Sequence, residues 1–200
     1  MIWIEEKSVN GNSNVMADAR LLAERKIFLE GEITQALALD FVRQVLLLTN
    51  DDDRTPVKVI INSPGGDVNA GLIIYDVLQS AEVPIALYCA GRAYSMGAVI
   101  FCAGRHGRYM LPHAEIMIHE PLLGGRVGGN TTSIKAISDS LLETRDRINR
   151  ILAEHTGKTV EEIEEATSFD HYFSAEEAIA FGLADSITGF QELASKEGQR

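Results

Sequence analysis

The chain is short of positive charge: 18 lysines and arginines stand against 29 acidic residues, giving a net charge of -11 over 200 residues. The basic residues are scattered singly, so no surface is built to grip a phosphate backbone, and nucleic acid is excluded as a partner. Long hydrophobic runs are missing too. The longest, such as GAVIFCAG at 97–104, fall far short of the roughly 20 apolar residues that a membrane span needs, so no membrane association is expected. The opening MIWIEEKSVNGNSN turns polar after four residues and lacks the basic start and apolar core of a secretory signal; a soluble, cytoplasmic protein is expected. Only two cysteines occur, Cys89 and Cys102, in apolar surroundings without metal-ligand spacing. They read as reduced core residues, and no metal site is expected. No repeat, low-complexity tract or linker divides the chain, which reads as a single domain over 1–200 with room for a substantial core.

What is present is an α/β pattern. KIFLEG (26–31), VKVIIN (57–62) and PIALYCA (84–90) read as strands, with helices predicted at about 34–50 and 67–80 between them. Strand, helix, strand in that order predicts crossovers that build a parallel sheet. Residues 1–19, with Asn and Gly clustered at 10–14 and no hydrophobic period, read as a mobile loop or arm. RYMLPHAEIMIHEP (108–121) gives two short strands broken at Pro112 and His113. A glycine-rich stretch, LLGGRVGGN, then precedes a long amphipathic helix from about Thr131 to His155, with Ile134, Ile137, Leu141, Ile148, Ile151 and Leu152 on one stripe. Two more helices open on capping boxes, Thr159 with Glu162 and Ser174 with Glu177.

Ser95 lies between a Gly-Arg-Ala lead-in and the apolar run MGAVIF, just past the C-terminal end of a predicted strand, where open α/β sheets place their active groups. It reads either as an ordinary helix N-cap or as a nucleophile at a strand-to-helix elbow. A serine nucleophile requires a base, and a neutral imidazole is the usual one. Of the five histidines, His106 falls in a polar turn, His113 at a strand break, and His155 at a helix end that favours a cation. His119 follows EIMI at a strand end and would emerge at the sheet rim. The carboxylate that would orient its ring is best supplied by Asp170, in a short connection whose flanking aromatics would shield it from water. SPGGD at 63–67 offers Gly65 and Gly66 amides, and Met96 follows the serine at a helix N-terminus; such donors stabilise a developing oxyanion. Two glycine patterns fail as phosphate loops, because Asn130 stands where GGRVGGNT needs lysine and Leu152 where the stretch ending in GKT needs its first glycine. The chain itself is not expected to hydrolyse ATP.

INSPGGDV, GRAYSMGA, IMIHEPLLGG and FDHYFSAEEAIAFGLAD stand in the order and spacing of the ClpP family, the proteolytic subunits of ATP-dependent Clp proteases. The chain resembles that family from ARLLAERKIFL to GLADSI. The resemblance implies an α/β, crotonase-like spiral of βαβ units with a protruding handle helix, the handle spanning about 122–155 and residues 1–19 forming a flexible axial arm. It implies a serine endopeptidase with Ser95 as nucleophile, His119 as base and Asp170 as orienting acid. The Gly66 and Met96 amides would form the oxyanion hole, with Val68 and Leu122 beside the substrate strand. It further implies heptameric rings stacked in pairs, unfolded polypeptide substrates, and a separate hexameric AAA+ ATPase partner, ATP being used only by that partner and the peptidase needing no cofactor. Phe169 stands where the family commonly has an arginine that ties the rings together, and HEPLLGG has one leucine more than the common HQPLGG. A phage prohead protease of the same fold, a crotonase-like acyl-CoA enzyme and an inactive ring subunit are the alternatives.

Overall fold

The computed structural model describes residues 2–8, 11–124 and 128–195. Residues 3–16 depart from the expected irregular arm: β1 (Trp3–Ser8) and β2 (Gly11–Met16) pair as an antiparallel hairpin, in register from Trp3–Met16 to Ser8–Gly11. The sequence hides these strands because their apolar residues, Trp3, Ile4, Val15 and Met16, are adjacent and the rest are polar, so they lack the alternation of a half-buried strand. A short helix, α1 (Ala17–Ala23), leads into the main sheet.

That sheet begins as two crossover units: β3 (Lys26–Glu30), α2 (Gln35–Asp51), β4 (Val57–Ser63), α3 (Val68–Ser80) and β5 (Ile85–Tyr94). The three strands are parallel, and β4 is buried at every position but Asn62. Continuous burial explains why its run is apolar but for Lys58 as far as Ile61, since a parallel strand is covered on both faces. The helix starts are written locally. Thr34 Oγ1 accepts from the Leu37 amide and Asp67 from the Ala70 amide, each satisfying a free donor of the first turn.

β5 is the pivot. Its register against β4 slips after Ile61–Cys89 and resumes at Ser63–Ala93. Gly91 lies inside that irregularity at φ 104, a conformation suited to a bulge and unfavourable for a side chain. The Gly-Arg-Ala lead-in to Ser95 is thus part of the strand. Before the bulge β5 pairs with β6 (Arg108–Met110); after it, with β7 (Glu115–Ile118).

β9 (Ser186–Ile187) extends the sheet beyond β6, and β8 (His171–Phe173) adds an antiparallel edge to β7. Between sheet and helices lies α4 (Met96–Cys102), buried at all seven positions and correspondingly apolar all round.

The long helix α5 (Thr131–Thr156) buries only Ile148, Asn149, Ile151 and Leu152; it is followed by α6 (Val160–Thr167) and α7 (Ala175–Phe181). Arg108 ties three helix ends together, donating to the carbonyls of Cys102, His155 and Gly182 at the ends of α4, α5 and α7. A last helix, α8 (Phe190–Ala194), is held by Lys58, which is almost fully buried and donates to the Glu192 and Ser195 carbonyls. Among the described residues no helix is long and apolar enough to cross a membrane.

Candidate active site

Three strands end at one rim, and their register decides what meets there. Tyr94 on β5 lies opposite Met117 on β7, and Met117 opposite Tyr172 on β8. One residue outward come Ser95, Ile118 and His171; one further on β7 and β8 come His119 and Asp170. The Ser95 amide extends the ladder by donating to the Met117 carbonyl at 2.8 Å. As a result Ser95 Oγ lies 2.8 Å from His119 Nε2, and His119 Nδ1 lies 3.3 Å from Asp170 Oδ1. The serine hydroxyl can donate to Nε2 when the imidazole carries its proton on Nδ1, facing the carboxylate.

Ser95 occupies the N-cap position of α4 but its side chain makes no capping bond, so the ordinary cap reading fails. Its backbone, at φ 53 and ψ -122, is that of a sharp turn in which glycine is the usual residue. The side chain is thereby thrown outward, away from the helix and toward His119.

The loop after β4 approaches this elbow closely. Ser63 Oγ donates to the Gly31 carbonyl at 2.6 Å and accepts from the Gly65 amide at 3.1 Å, while the Gly65 carbonyl accepts from Ile33 at 2.8 Å. Gly65 has φ 97, and a Cβ there would stand 2.6 Å from the Ser95 Cβ. The turn therefore requires glycine for space as well as for conformation. The Gly65 amide is committed to Ser63, whereas the Gly66 and Met96 amides have no acceptor among the described residues.

An apolar pocket opens beside Ser95 and His119, walled by Val68, Met96, Val99, Pro121, Ile148 and Leu152. Val68 is thus placed at the site, whereas Leu122 is 77% exposed and lies outside that wall. Ile148 and Leu152 were missed as site residues; their only signal was membership of the α5 stripe, which fixes a face but not what it touches.

Asp170 also departs from expectation, its side chain being 59% exposed and the preceding Phe169 83% exposed. Both belong to the approach to a three-residue edge strand, with no layer among the described residues outside it to cover them. His155 is not the solvated helix-end cation the sequence suggested. It is half-buried against Tyr75, with the hydroxyl 3.3 Å from Nε2, and burial holds its pKa below the usual histidine value. Cys89 and Cys102 are free and buried, and burial pushes both thiols up to about 12, far from nucleophilic use at neutral pH.

The family model described as Clp protease matches residues 10–191. This chain belongs to the Clp protease family. Within that family it is 40% identical over 184 residues to an ATP-dependent Clp protease proteolytic subunit of Leuconostoc citreum (strain KM20), across 91% of this chain and 92% of that one. It is a serine-type endopeptidase, and the mixed α/β fold with its parallel sheet is the fold of the Clp protease family.

Proposed function

We propose that Ser95, His119 and Asp170 form the catalytic triad, with the Gly66 and Met96 amides as oxyanion hole. The observation that carries this reading is the 2.8 Å approach of Ser95 Oγ to His119 Nε2, with Asp170 on the far side of the ring. His119 takes the hydroxyl proton as Ser95 attacks the peptide carbonyl, and the two amides hold the negative oxygen that forms. The same imidazole then protonates the leaving amine, and water releases the acyl group by the reverse sequence. Val68 and its apolar neighbours receive the side chain preceding the cut bond, and Leu122 lies beside the extended substrate. Neither step draws on a cofactor.

The substrates on this reading are unfolded polypeptides, delivered by a hexameric AAA+ ATPase into a chamber of two stacked heptameric rings. Residues 1–19 serve as the axial arm and about 122–155 as the handle. The exposed stripe of α5 and the relative's name support that assembly. A crotonase-type acyl-CoA site would have no use for a serine–imidazole pair. Ser95→Ala should abolish cleavage of fluorogenic peptides and labelling by a fluorophosphonate while leaving the melting temperature and native mass intact, because it removes an outward hydroxyl and no core volume. Retention of more than a small fraction of activity would refute the nucleophile assignment.

A further inference from the structure

One row behind the triad, the same three strands carry a second set of contacts. Tyr94, the residue before Ser95, donates its hydroxyl to Glu115 Oε2 at 2.6 Å. Its ring meets Tyr172, two residues beyond Asp170, edge to face at 5.6 Å and 88°. The Arg92 guanidinium lies over the Tyr94 ring, 5.6 Å from its centroid. The register accounts for the set: Arg92 faces Glu115, and Tyr94, Met117 and Tyr172 stand in one row, so all share one face of the β5–β7–β8 rim.

β8 has need of such a contact. It is three residues long, lies at the sheet edge, and among the described residues pairs only with β7. Its inward anchor, Phe173, is at its far end from Asp170 and packs on the core face. Asp170 itself is open to solvent and has no hydrogen bond from the described residues that would fix it other than its approach to His119. The β7 ladder at Ile118–His171 and the Glu120 amide donating to the Thr167 carbonyl hold the backbone on either side of Asp170; the side-chain contact that ties this end of β8 to the nucleophile's own strand is the Tyr172 ring against Tyr94, the latter held by Glu115.

We infer that Tyr94 and Tyr172 are positioning residues that set Asp170 against His119, by joining the strand that ends in the nucleophile to the strand that begins after the acid. This rests on the reading of Asp170 as the orienting carboxylate. Such a contact acts on rate rather than on substrate binding, because neither ring lines the pocket beside Ser95.

The test is a double-mutant cycle on the full-length chain, reading kcat and KM for a fluorogenic peptide, with fluorophosphonate labelling rates where turnover is slow. Tyr172→Ala should lower kcat about tenfold with KM little changed, as expected when an interaction made in the transition state is lost. Tyr172→Phe, which keeps the ring, should restore most of the rate, and Tyr94→Phe, which frees the ring from Glu115, should cost a smaller factor of about two to three. In an Asp170→Asn background Tyr172→Ala should cost nothing more, since the group through which it acts is already gone. An unchanged tenfold loss in that background, or a loss that falls on KM, would overturn the inference while leaving the triad in place. If Asp170→Asn alone left the rate intact, the role of Asp170 and this inference would fall together. Should Tyr172→Ala fail to fold, the same cycle run with Tyr94→Phe decides the matter.

Discussion

The two halves of α5 carry one apolar stripe, yet only the second half packs it into the chain's own core. Ile148, Ile151 and Leu152 are 4%, 8% and 1% exposed, whereas Ile134 is 48% exposed and Ile137 and Leu141 are only half-buried. At about 1.5 Å per residue the helix is long enough to leave the core well before its first turn. The contrast teaches that amphipathic period and burial are separate facts. The second half is stabilised by α4 and the pocket it helps to wall; the first half presents an apolar surface whose stabilisation has to come from elsewhere, which fits a contact between copies of the chain.

The sharpest way to break this comparison is to truncate one residue from each half. Leu152→Ala should cost about 2–5 kcal/mol of stability, as for other buried leucines, and should also weaken peptidase activity through the pocket wall. Ile134→Ala should leave stability within about 0.5 kcal/mol. Chemical denaturation of the two variants measures both effects, while sedimentation velocity should show self-association weakened by Ile134→Asp. Equal destabilisation at the two sites would mean that the stripe behaves as one unit.

A gentler probe sits at the buried end of α5. Burial, outweighing the nearby Glu154 and aided by Arg108, lowers the His155 pKa beneath its usual 6.5. The native state therefore keeps the ring neutral where the unfolded chain protonates it, and the unfolded state binds more protons as pH falls through about 6.5. The contribution is complete above that value and is lost below it. Urea midpoints should thus decline from pH 7.5 to 5.5, and His155→Gln should flatten the decline; an unaltered slope would count against the buried, neutral ring.

The smallest effect expected is at Phe169. An arginine in its place would hold a neighbouring ring by charge-assisted bonds that salt screens, whereas an exposed phenyl ring offers only apolar contact, strengthened modestly by sulfate. If the proposed double ring forms, it should accordingly gain in a sodium sulfate series and survive moderate chloride in sedimentation velocity. Arg126 is the rival source of charge, and it lies outside the described residues. Dissociation in chloride, or on Arg126→Ala alone, would favour it.

Much of this molecule could be read from its sequence because the signals were local. The two capping boxes form as written, with Thr159 and Ser174 each exchanging bonds with the glutamate three residues on. The strand–helix–strand order gave the parallel sheet, and strand ends placed Ser95 and His119 at a common rim. What escaped was set by distant partners. The bulge at Gly91 arises where β5 exchanges β6 for β7, and which part of β5 each of those strands pairs with is a tertiary choice that the residues around Gly91 do not encode. Asp170 was placed beside aromatics correctly, but whether aromatics cover a neighbour depends on the layer outside them, and an edge strand has none. Strands β1 and β2 escaped for another reason: their apolar pairs, Trp3–Met16 and Ile4–Val15, sit together at one end and the rest is polar, so no alternation marks them.

The backbone of Ser95 carries a last consequence. At φ 53 and ψ -122 a side chain is unwelcome, and such a conformation costs on the order of 1–3 kcal/mol unless its surroundings enforce it. Glycine would sit there without that strain, so selection for thermostability alone would drive the hydroxyl out of the chain. A peptidase of this fold thus lives with a conflict between the hardiness of its scaffold and the retention of its chemistry, centred on a single residue.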